Sequence, residues 1–330
     1  MILLIFVVAL VYAFWNGLHD APAILAQVTA TRSVGPRTAL VITGVMELAG
    51  ALFFSQMVLK TMSFAGEGLV WASPVEPGLI RSFVLSALIV ALVFNMGTWY
   101  LGFPSSSTHA LFGAMTGAAL ALHLGGNLMA LKLLQMLAVL MASAAIGGVL
   151  GFVVTRGLGQ LDISYRAGHA LLAPLNAVLS GGLAFLHGAN DMPKSLGLFL
   201  LALRLGPLTH WPALPEKVYL ILFSVAISFG IMFGENRIFK LLGMRIFRLR
   251  ILQGLGAGMV SSASLGLCTA LGFPVSSTQI LVGSMLGAGA AKSAKAIRWM
   301  VVWEILLSWV ITLPACAALG YLMARFLAFF

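Results

Sequence analysis

Charge is scarce in this sequence of 330 residues, since 9 acidic and 19 basic residues make up 8% of it. A soluble domain carries roughly 25% charged residues, so this chain cannot cover a water-facing surface. Two cysteines in apolar segments are too few for a disulfide-stabilised secreted scaffold. The sequence also lacks the glycine-rich phosphate loop of ATPases and any Cys/His cluster with metal-ligand spacing. We therefore expect no ATP-driven chemistry within the chain and no cofactor.

Long apolar runs take the place of charge. Hydrophobic residues make up 61% of the chain, in stretches of about 20 residues or more that can cross about 30 Å of hydrocarbon. In such a protein the net charge of +10 reports loop orientation rather than a nucleic-acid partner. The composition predicts an all-α polytopic protein of the cell (plasma) membrane, with the lipid bilayer as its surroundings.

The strongest pattern is an internal duplication. Residues 101–118 and 271–288 are identical at 12 of 18 positions, with an offset of 170. A second pair, N-G-L-H-D-A-P at 16–22 and H-G-A-N-D-M-P at 187–193, recurs with an offset of 171. The chain is therefore expected to consist of two transmembrane repeats, 1–165 and 166–330.

Each repeat has the same predicted parts. Residues 1–31 would form a helix about 46 Å long, longer than one bilayer, so we expect a broken helix interrupted at 16–22. A short second arm after the turn at 102–106 predicts a re-entrant helical hairpin. The remaining predicted segments are the helices 38–59, 128–156, 168–203 (broken at 187–193), 217–236 and 297–326, and the hairpins 79–122 and 251–291.

Loop charges predict the orientation of the repeats. Basic residues flank the second hairpin on both sides, which places both of its ends in the cytoplasm; they are Arg237, Lys240, Arg245, Arg248, Arg250, Lys292, Lys295 and Arg298. The loop before the first hairpin carries Lys60, Glu67, Glu76 and Arg81, which sum to zero, and is read as external. Equivalent loops on opposite sides predict inverted-topology repeats, with both termini external. Inverted repeats with broken helices are typical of secondary transporters.

Two acidic residues within the apolar segments are the first candidate site. Asp20 and Asp191 occupy equivalent repeat positions, each before a proline. A break in the helix would leave backbone carbonyls without their helical hydrogen bonds. These carbonyls and a carboxylate would make an oxygen-rich site for a hard cation such as Na⁺. Asn16, His19 and Asn190 could add ligands or hydrogen bonds. Helix capping by Asp is the structural alternative.

The hairpin tips are the second candidate site. Each combines a proline with a cluster of hydroxyls at the start of a helix; the hydroxyl residues are Ser105, Ser106, Ser107, Thr108, Ser276, Ser277 and Thr278. Free N–H groups and the positive helix end attract an anion, and the hydroxyls donate further hydrogen bonds. Simple N-capping is again the alternative. Two tips meeting at a pseudo-twofold axis would form one anion site.

Several other polar residues could support these sites. Glu47 lies in mid-helix, and Glu235 lies near the end of the corresponding helix, so either could bind a cation or a proton. Glu235 could equally lie at the cytoplasmic interface. Lys194 follows Asp191 by three residues and could pair with it or supply charge to the anion. His109 could assist the anion site, but its counterpart Gln279 favours a hydrogen-bonding role.

These motifs resemble the inorganic phosphate transporter (PiT) family of cation-coupled phosphate symporters. The likeness lies in residues 16–21 and 188–191, in the Gly-Phe-Pro-x-Ser-Ser-Thr-His/Gln tips at 102–109 and 272–279, and in Glu47. It implies phosphate bound by the Ser/Thr tips, Na⁺ or H⁺ beside the Asp motifs, a functional role for Glu47, and a homodimer. Many relatives have Asn three residues after each Asp, where this chain has Ala23 and Lys194.

The sequence thus predicts a symporter that imports inorganic phosphate with Na⁺ or H⁺ by alternating access. Transport of sulfate or another tetrahedral oxyanion by the same fold is the alternative, because neutral hydroxyls do not by themselves distinguish phosphate, which carries a proton, from sulfate. A passive anion channel is a further alternative. A membrane hydrolase using Ser107 and His109 is disfavoured, because the second repeat has Gln279 in place of the histidine.

Overall fold

The computed structural model describes residues 1–31, 33–67, 76–103, 105–124, 127–160, 165–204, 214–234 and 249–329. Within these ranges the chain forms eleven α-helices and one short 3₁₀ turn. The first repeat contains α1 (Ile2–Ala30), α2 (Pro36–Phe53), α3 (Gln56–Glu67), α4 (Pro77–Leu101), α5 (Ser107–Ala121) and α6 (Asn127–Leu158). The second contains α7 (Tyr165–Arg204), α8 (Glu216–Met232), α9 (Ile251–Ala270), α10 (Ser277–Ser293), the 3₁₀ turn (Ala294–Ala296) and α11 (Trp299–Leu327).

Seven of these helices are long and apolar enough to cross a membrane, which makes this a multi-pass membrane protein. They are α1, α2, α4, α6, α7, α9 and α11. The short arms of the hairpins, α5 and α10, have 15 and 17 residues. The predicted pairing of a long arm with a short one is therefore present in both repeats.

The predicted breaks in the first helix of each repeat were wrong. α1 runs unbroken through Pro22, and α7 continues for 40 residues through Pro174 and Pro193. Proline removes one backbone hydrogen bond, but a helix packed on several sides can tolerate that loss. The polar groups at these positions are therefore side chains on continuous helices, and freed backbone carbonyls are not needed to explain the site.

A short helix was also missed. The sequence segment predicted as one helix over 38–59 is divided at Phe54 and Ser55 into α2 and α3. α3 packs against the turn of the second hairpin, where a Cβ on Gly272 would lie 2.9 Å from Thr61 Oγ1. Gly272 and its repeat counterpart Gly102 have φ of 76° and 77°, so both turns need glycine.

The first helices of the two repeats run antiparallel. Asn16 of α1 bonds Asp191 of α7, and Gln27, farther along α1, bonds Asn176, which comes earlier in α7. Equivalent helices that run in opposite directions are what inverted-topology repeats require. The structure thus agrees with the inversion inferred from loop charge; of the basic loop residues, Arg237, Lys240, Arg245 and Arg248 lie outside the described residues.

The helices of the two repeats interleave. α2 packs along α7 and α1 along α8, while the hairpin helices α5 and α10 pack against the last helices α11 and α6 of the opposite repeat. Glycine permits these close approaches: a Cβ on Gly50 would overlap the Phe185 carbonyl, and one on Gly230 would overlap the Phe14 carbonyl. Each repeat therefore supplies a long helix that packs on the other repeat's hairpin.

Candidate functional site

The predicted site residues meet in the interior of the protein. The middles of α1 and α7 lie against the N-terminal ends of α5 and α10, and every candidate side chain there is at most 5% exposed. These buried residues are Asn16, His19, Asp20, Glu47, Ser105, Ser106, Ser107, Thr108, His109, Asn190, Asp191, Lys194, Ser276, Ser277, Thr278 and Gln279. Glu235 lies outside the described residues.

The two hairpins touch tip to tip around the pseudo-twofold axis. Ser106 Oγ donates to Ser276 Oγ at 2.9 Å, and His109 Nδ1 lies 3.3 Å from Gln279 Nε2. Each of these pairs joins residues 170 positions apart, so each joins repeat equivalents. The positive ends of two helices thus point at one place, an arrangement that attracts an anion.

Capping explains part of the hydroxyl cluster. Ser106 Oγ accepts the His109 backbone N–H at 3.1 Å, and Ser276 Oγ accepts that of Gln279 at 3.3 Å. The other hydroxyls have different partners or none. Ser277 Oγ is buried without a hydrogen-bond partner in the described part of the chain, so it remains free to donate to a ligand.

Asp20 links both hairpins. Ser107 of the first tip donates to Asp20 Oδ2 at 2.9 Å, and Thr278 of the second donates to Oδ1 at 3.1 Å. His19 Nδ1 lies 2.8 Å from Oδ1. The tip hydroxyls therefore reach the carboxylate as well as the space between the helix ends, which places the predicted anion and cation groups in direct contact.

Asp191 has different surroundings from its repeat equivalent. Lys194 Nζ donates to Asp191 Oδ1 at 2.8 Å, and Asn16 Nδ2 donates to Oδ2 at 3.1 Å. Lys194 also donates to Thr108 Oγ1 and to the Val275 carbonyl, both at 2.7 Å. The predicted pairing within α7 is therefore present, but it is one of three contacts made by the ammonium.

Asn190 fastens the second hairpin. Its Oδ1 accepts the Val275 N–H at 3.1 Å, and its Nδ2 lies 3.0 Å from both Thr269 Oγ1 and the Phe273 carbonyl. In the first repeat His19 takes the same position, with Nε2 3.2 Å from Ser105 Oγ. These two residues connect the long helices to the tips.

His187 was missed by sequence reasoning. Its Nδ1 lies 2.9 Å from Glu47 Oε1, and its Nε2 lies 3.6 Å from Asp20 Oδ2 and 3.7 Å from Asp191 Oδ2. One ligand atom each from Asp20, His187 and Asp191 fall within 4.8 Å of one another, a group that could hold a metal ion. The available signal was repeat register, since His187 is the counterpart of Asn16.

Glu47 enters the site from α2 and is fully buried. A Cβ on Gly188 would overlap the Glu47 carbonyl, just as one on Gly17 would overlap that of Ile227. Because Gly17 and Gly188 are repeat equivalents, Ile227 is the packing counterpart of Glu47. The second repeat thus contributes no acid at that position.

The site combines three buried acids with buried basic side chains. Asp20, Glu47 and Asp191 lie beside Lys194, His19 and His187. Buried carboxylates without compensating charge are costly in a membrane interior. Asp191 has the Lys194 ammonium within hydrogen-bonding distance, whereas Asp20 has His19 Nδ1 at 2.8 Å instead.

A model of the phosphate transporter family matches residues 16–172 and again 164–320, so the two matches follow the duplication and span most of the chain. The chain belongs to the phosphate transporter family. It is a transporter rather than an enzyme.

Individual relatives match this family member over nearly its whole length. A probable low-affinity inorganic phosphate transporter of Rhizobium meliloti (strain 1021) is 33% identical, covering 96% of this chain and 93% of the relative. One of the same description from Bacillus subtilis (strain 168) is 31% identical, covering 96% and 94%. A solved structure described as the sodium-dependent phosphate transporter superposes with a TM-score of 0.85 at 20% identity, covering 99% of each chain. That similarity confirms the fold.

Proposed function

We propose that this family member imports inorganic phosphate together with a cation, Na⁺ or H⁺, by alternating access. The observation that carries the proposal is the meeting of the α5 and α10 N-termini beside Asp20. One buried site thus offers anion-binding donors and cation-binding acids in contact with each other. The family match and the relatives described as phosphate transporters support phosphate as the anion.

Phosphate would bind between the tips. The Ser106–Ser276 hydrogen bond closes that space in this structure, and an anion entering there would replace it with bonds to its own oxygens. Hydroxyls and helix N–H groups hold an anion without a directly facing arginine. Such neutral donors suit a substrate that must also be released.

The cation would bind at Asp20. The carboxylate already receives two tip hydroxyls, so a cation there would turn those hydroxyl protons away and toward the anion. Cation binding would thereby prepare the phosphate site and offset repulsion between phosphate and the acids. A hard ion such as Na⁺ suits these oxygen ligands, whereas H⁺ could be taken up by the carboxyls or by Glu47.

Alternating access would use the interleaved repeats. The site is closed on all sides, since its residues are at most 5% exposed. Opening toward either side requires one hairpin to move from the other, which breaks the two contacts across the pseudo-axis. Relative motion of inverted repeats around a midplane site is the general scheme of such transporters.

Location and assembly belong to the same proposal. We place the protein in the plasma membrane. The basic residues that flank the second hairpin would lie in the cytoplasm, which leaves both termini outside; they include Arg250, Lys292, Lys295 and Arg298. Homodimer formation follows from the family resemblance. Accessibility of terminal tags in intact cells and the mass of the detergent-solubilised protein test these two points.

Tip variants test the anion site. Ser106→Ala and Ser276→Ala should each weaken binding of labelled phosphate to purified protein, about tenfold for the loss of one hydrogen bond worth about 1.4 kcal/mol. Ser261→Ala is the control, since Ser261 is also buried but donates to Ala257 within its own helix. Unchanged phosphate binding in both tip variants would remove the anion site from the tips. Competition by sulfate that exceeds competition by phosphate would favour the sulfate alternative.

A further inference from the structure

Lys194 is held like a bound cation. Its ammonium has three N–H donors, and three oxygens take them at 2.7–2.8 Å: a carboxylate of Asp191, a hydroxyl of Thr108 and the carbonyl of Val275. The residue is 0% exposed. Carboxylate, hydroxyl and carbonyl oxygens are also the ligand types that hard metal cations take in proteins.

The oxygens come from both repeats and from both hairpins. Thr108 belongs to the first tip and Val275 to the second, while Asp191 and Lys194 lie on α7. A salt bridge confined to one helix would not need the two contacts to the tips. The ammonium thus lies where the long helix and the two hairpins meet, beside the proposed anion space.

The pseudo-twofold axis supplies a comparison within the same chain. The counterpart of Lys194 is Ala23, 171 positions earlier, and those of Asp191 and Thr108 are Asp20 and Thr278. Thr278 does reach Asp20, with Oγ1 3.1 Å from Oδ1. The first repeat therefore has the same carboxylate and hydroxyl, but a methyl group stands where the second repeat has an ammonium.

We propose that the Lys194 ammonium permanently replaces one coupling cation at Asp191, so that mobile cation binds at the Asp20 side alone. The inference rests on the proposed function and specifies its stoichiometry. A tethered charge is carried through the cycle by the protein and is not released with the substrate. This chain would consequently move one cation fewer per phosphate than a variant without the ammonium.

The test changes the position of the ammonium. Lys194→Ala empties the second-repeat position, Ala23→Lys fills the first, and the double variant exchanges the two. Lys292→Ala is the control, because that lysine lies exposed at the end of α10. Each protein is reconstituted in liposomes, and the cations (²²Na⁺, or protons by a lumenal dye) taken up per labelled phosphate are counted.

The ratio of cation to phosphate should rise by about one in Lys194→Ala and fall by about one in Ala23→Lys. The Hill coefficient for the cation should change in the same directions, and the double variant should return to the wild-type ratio. An unchanged ratio in Lys194→Ala would overturn the proposal. If that variant does not fold, an unchanged ratio in Ala23→Lys has the same meaning.

Failure of the proposed function has a different signature. It would appear as wild-type protein that takes up no phosphate under either cation gradient. In that case equilibrium binding of ²²Na⁺ and of protons to detergent-solubilised protein still tests the inference, since Lys194→Ala should bind one mobile cation more than wild type. Equal binding by the two proteins would overturn it.

Discussion

Asp20→Asn is the substitution whose effect the site geometry predicts most sharply. Asparagine keeps the shape and one oxygen, which can accept from Ser107 or from Thr278 because these hydroxyls donate to different carboxylate oxygens, but it removes the negative charge. A unit charge about 4 Å from a cation contributes about 4 kcal/mol at an effective dielectric constant of about 20. Allowing for the amide oxygen that remains, we expect a loss of about 2–4 kcal/mol in cation binding.

That loss corresponds to a roughly 30- to 900-fold increase in the cation concentration that gives half-maximal phosphate uptake. The assay is the initial rate of labelled phosphate uptake into proteoliposomes over a series of cation concentrations. Asp191→Asn is the matched control, because it removes the same charge at the equivalent position, where Lys194 already lies within 2.8 Å. Its half-maximal cation concentration should change much less. Loss of flux in Asp20→Asn with cation dependence and phosphate affinity both unchanged would refute the reasoning.

Three further outcomes follow from named contacts. Ser277→Ala should weaken phosphate binding about fivefold, since a hydrogen bond is worth about 1 kcal/mol. Its thermal stability should not change, because the Ser277 hydroxyl lacks a partner in the described structure. An unchanged phosphate Kd would exclude Ser277 from the site. Glu47→Gln should raise the cation concentration that gives half-maximal phosphate uptake, because Glu47 lies 2.9 Å from His187, which borders both aspartates. Uptake curves that coincide with those of the wild type would contradict this. Gly50→Ala should lower the melting temperature in detergent, because its Cβ would overlap a backbone carbonyl. Gly182→Ala is the control: a Cβ there meets nothing within 4 Å, and the substitution should stabilise the helix by up to about 1 kcal/mol. Equal melting temperatures of the two variants would argue against close packing at Gly50.

The parts of the fold that could be predicted are those with a repeated chemical signal. The hairpin tips and the paired aspartates could be predicted because polar residues in repeat register are rare within apolar segments. The inversion could be predicted from the charges of the loops. The tips were also correctly expected to meet, since an axis relating two repeats brings equivalent residues together. The Ser106–Ser276 bond realises that expectation.

The rest depends on packing, which the pattern does not encode. The prolines suggested breaks, yet α1 and α7 continue through Pro22 and Pro193 because surrounding helices support them. His187 is in repeat register with the candidate Asn16, but the two residue types differ, so no repeated residue marked it. Its importance comes from Glu47, which reaches it from α2 of the other repeat. Such contacts between helices far apart in the chain become visible only in three dimensions.

Coupled accumulation is the central claim, and uptake of labelled phosphate into proteoliposomes tests it most directly. An inward Na⁺ gradient and an inward proton gradient are imposed separately, with labelled sulfate measured in parallel. The account predicts that one of the two gradients drives phosphate above its equilibrium level inside the liposome, and that collapsing this gradient with an ionophore abolishes the accumulation. Phosphate that merely equilibrates under both gradients, as through a channel, or sulfate that accumulates in its place, would contradict it.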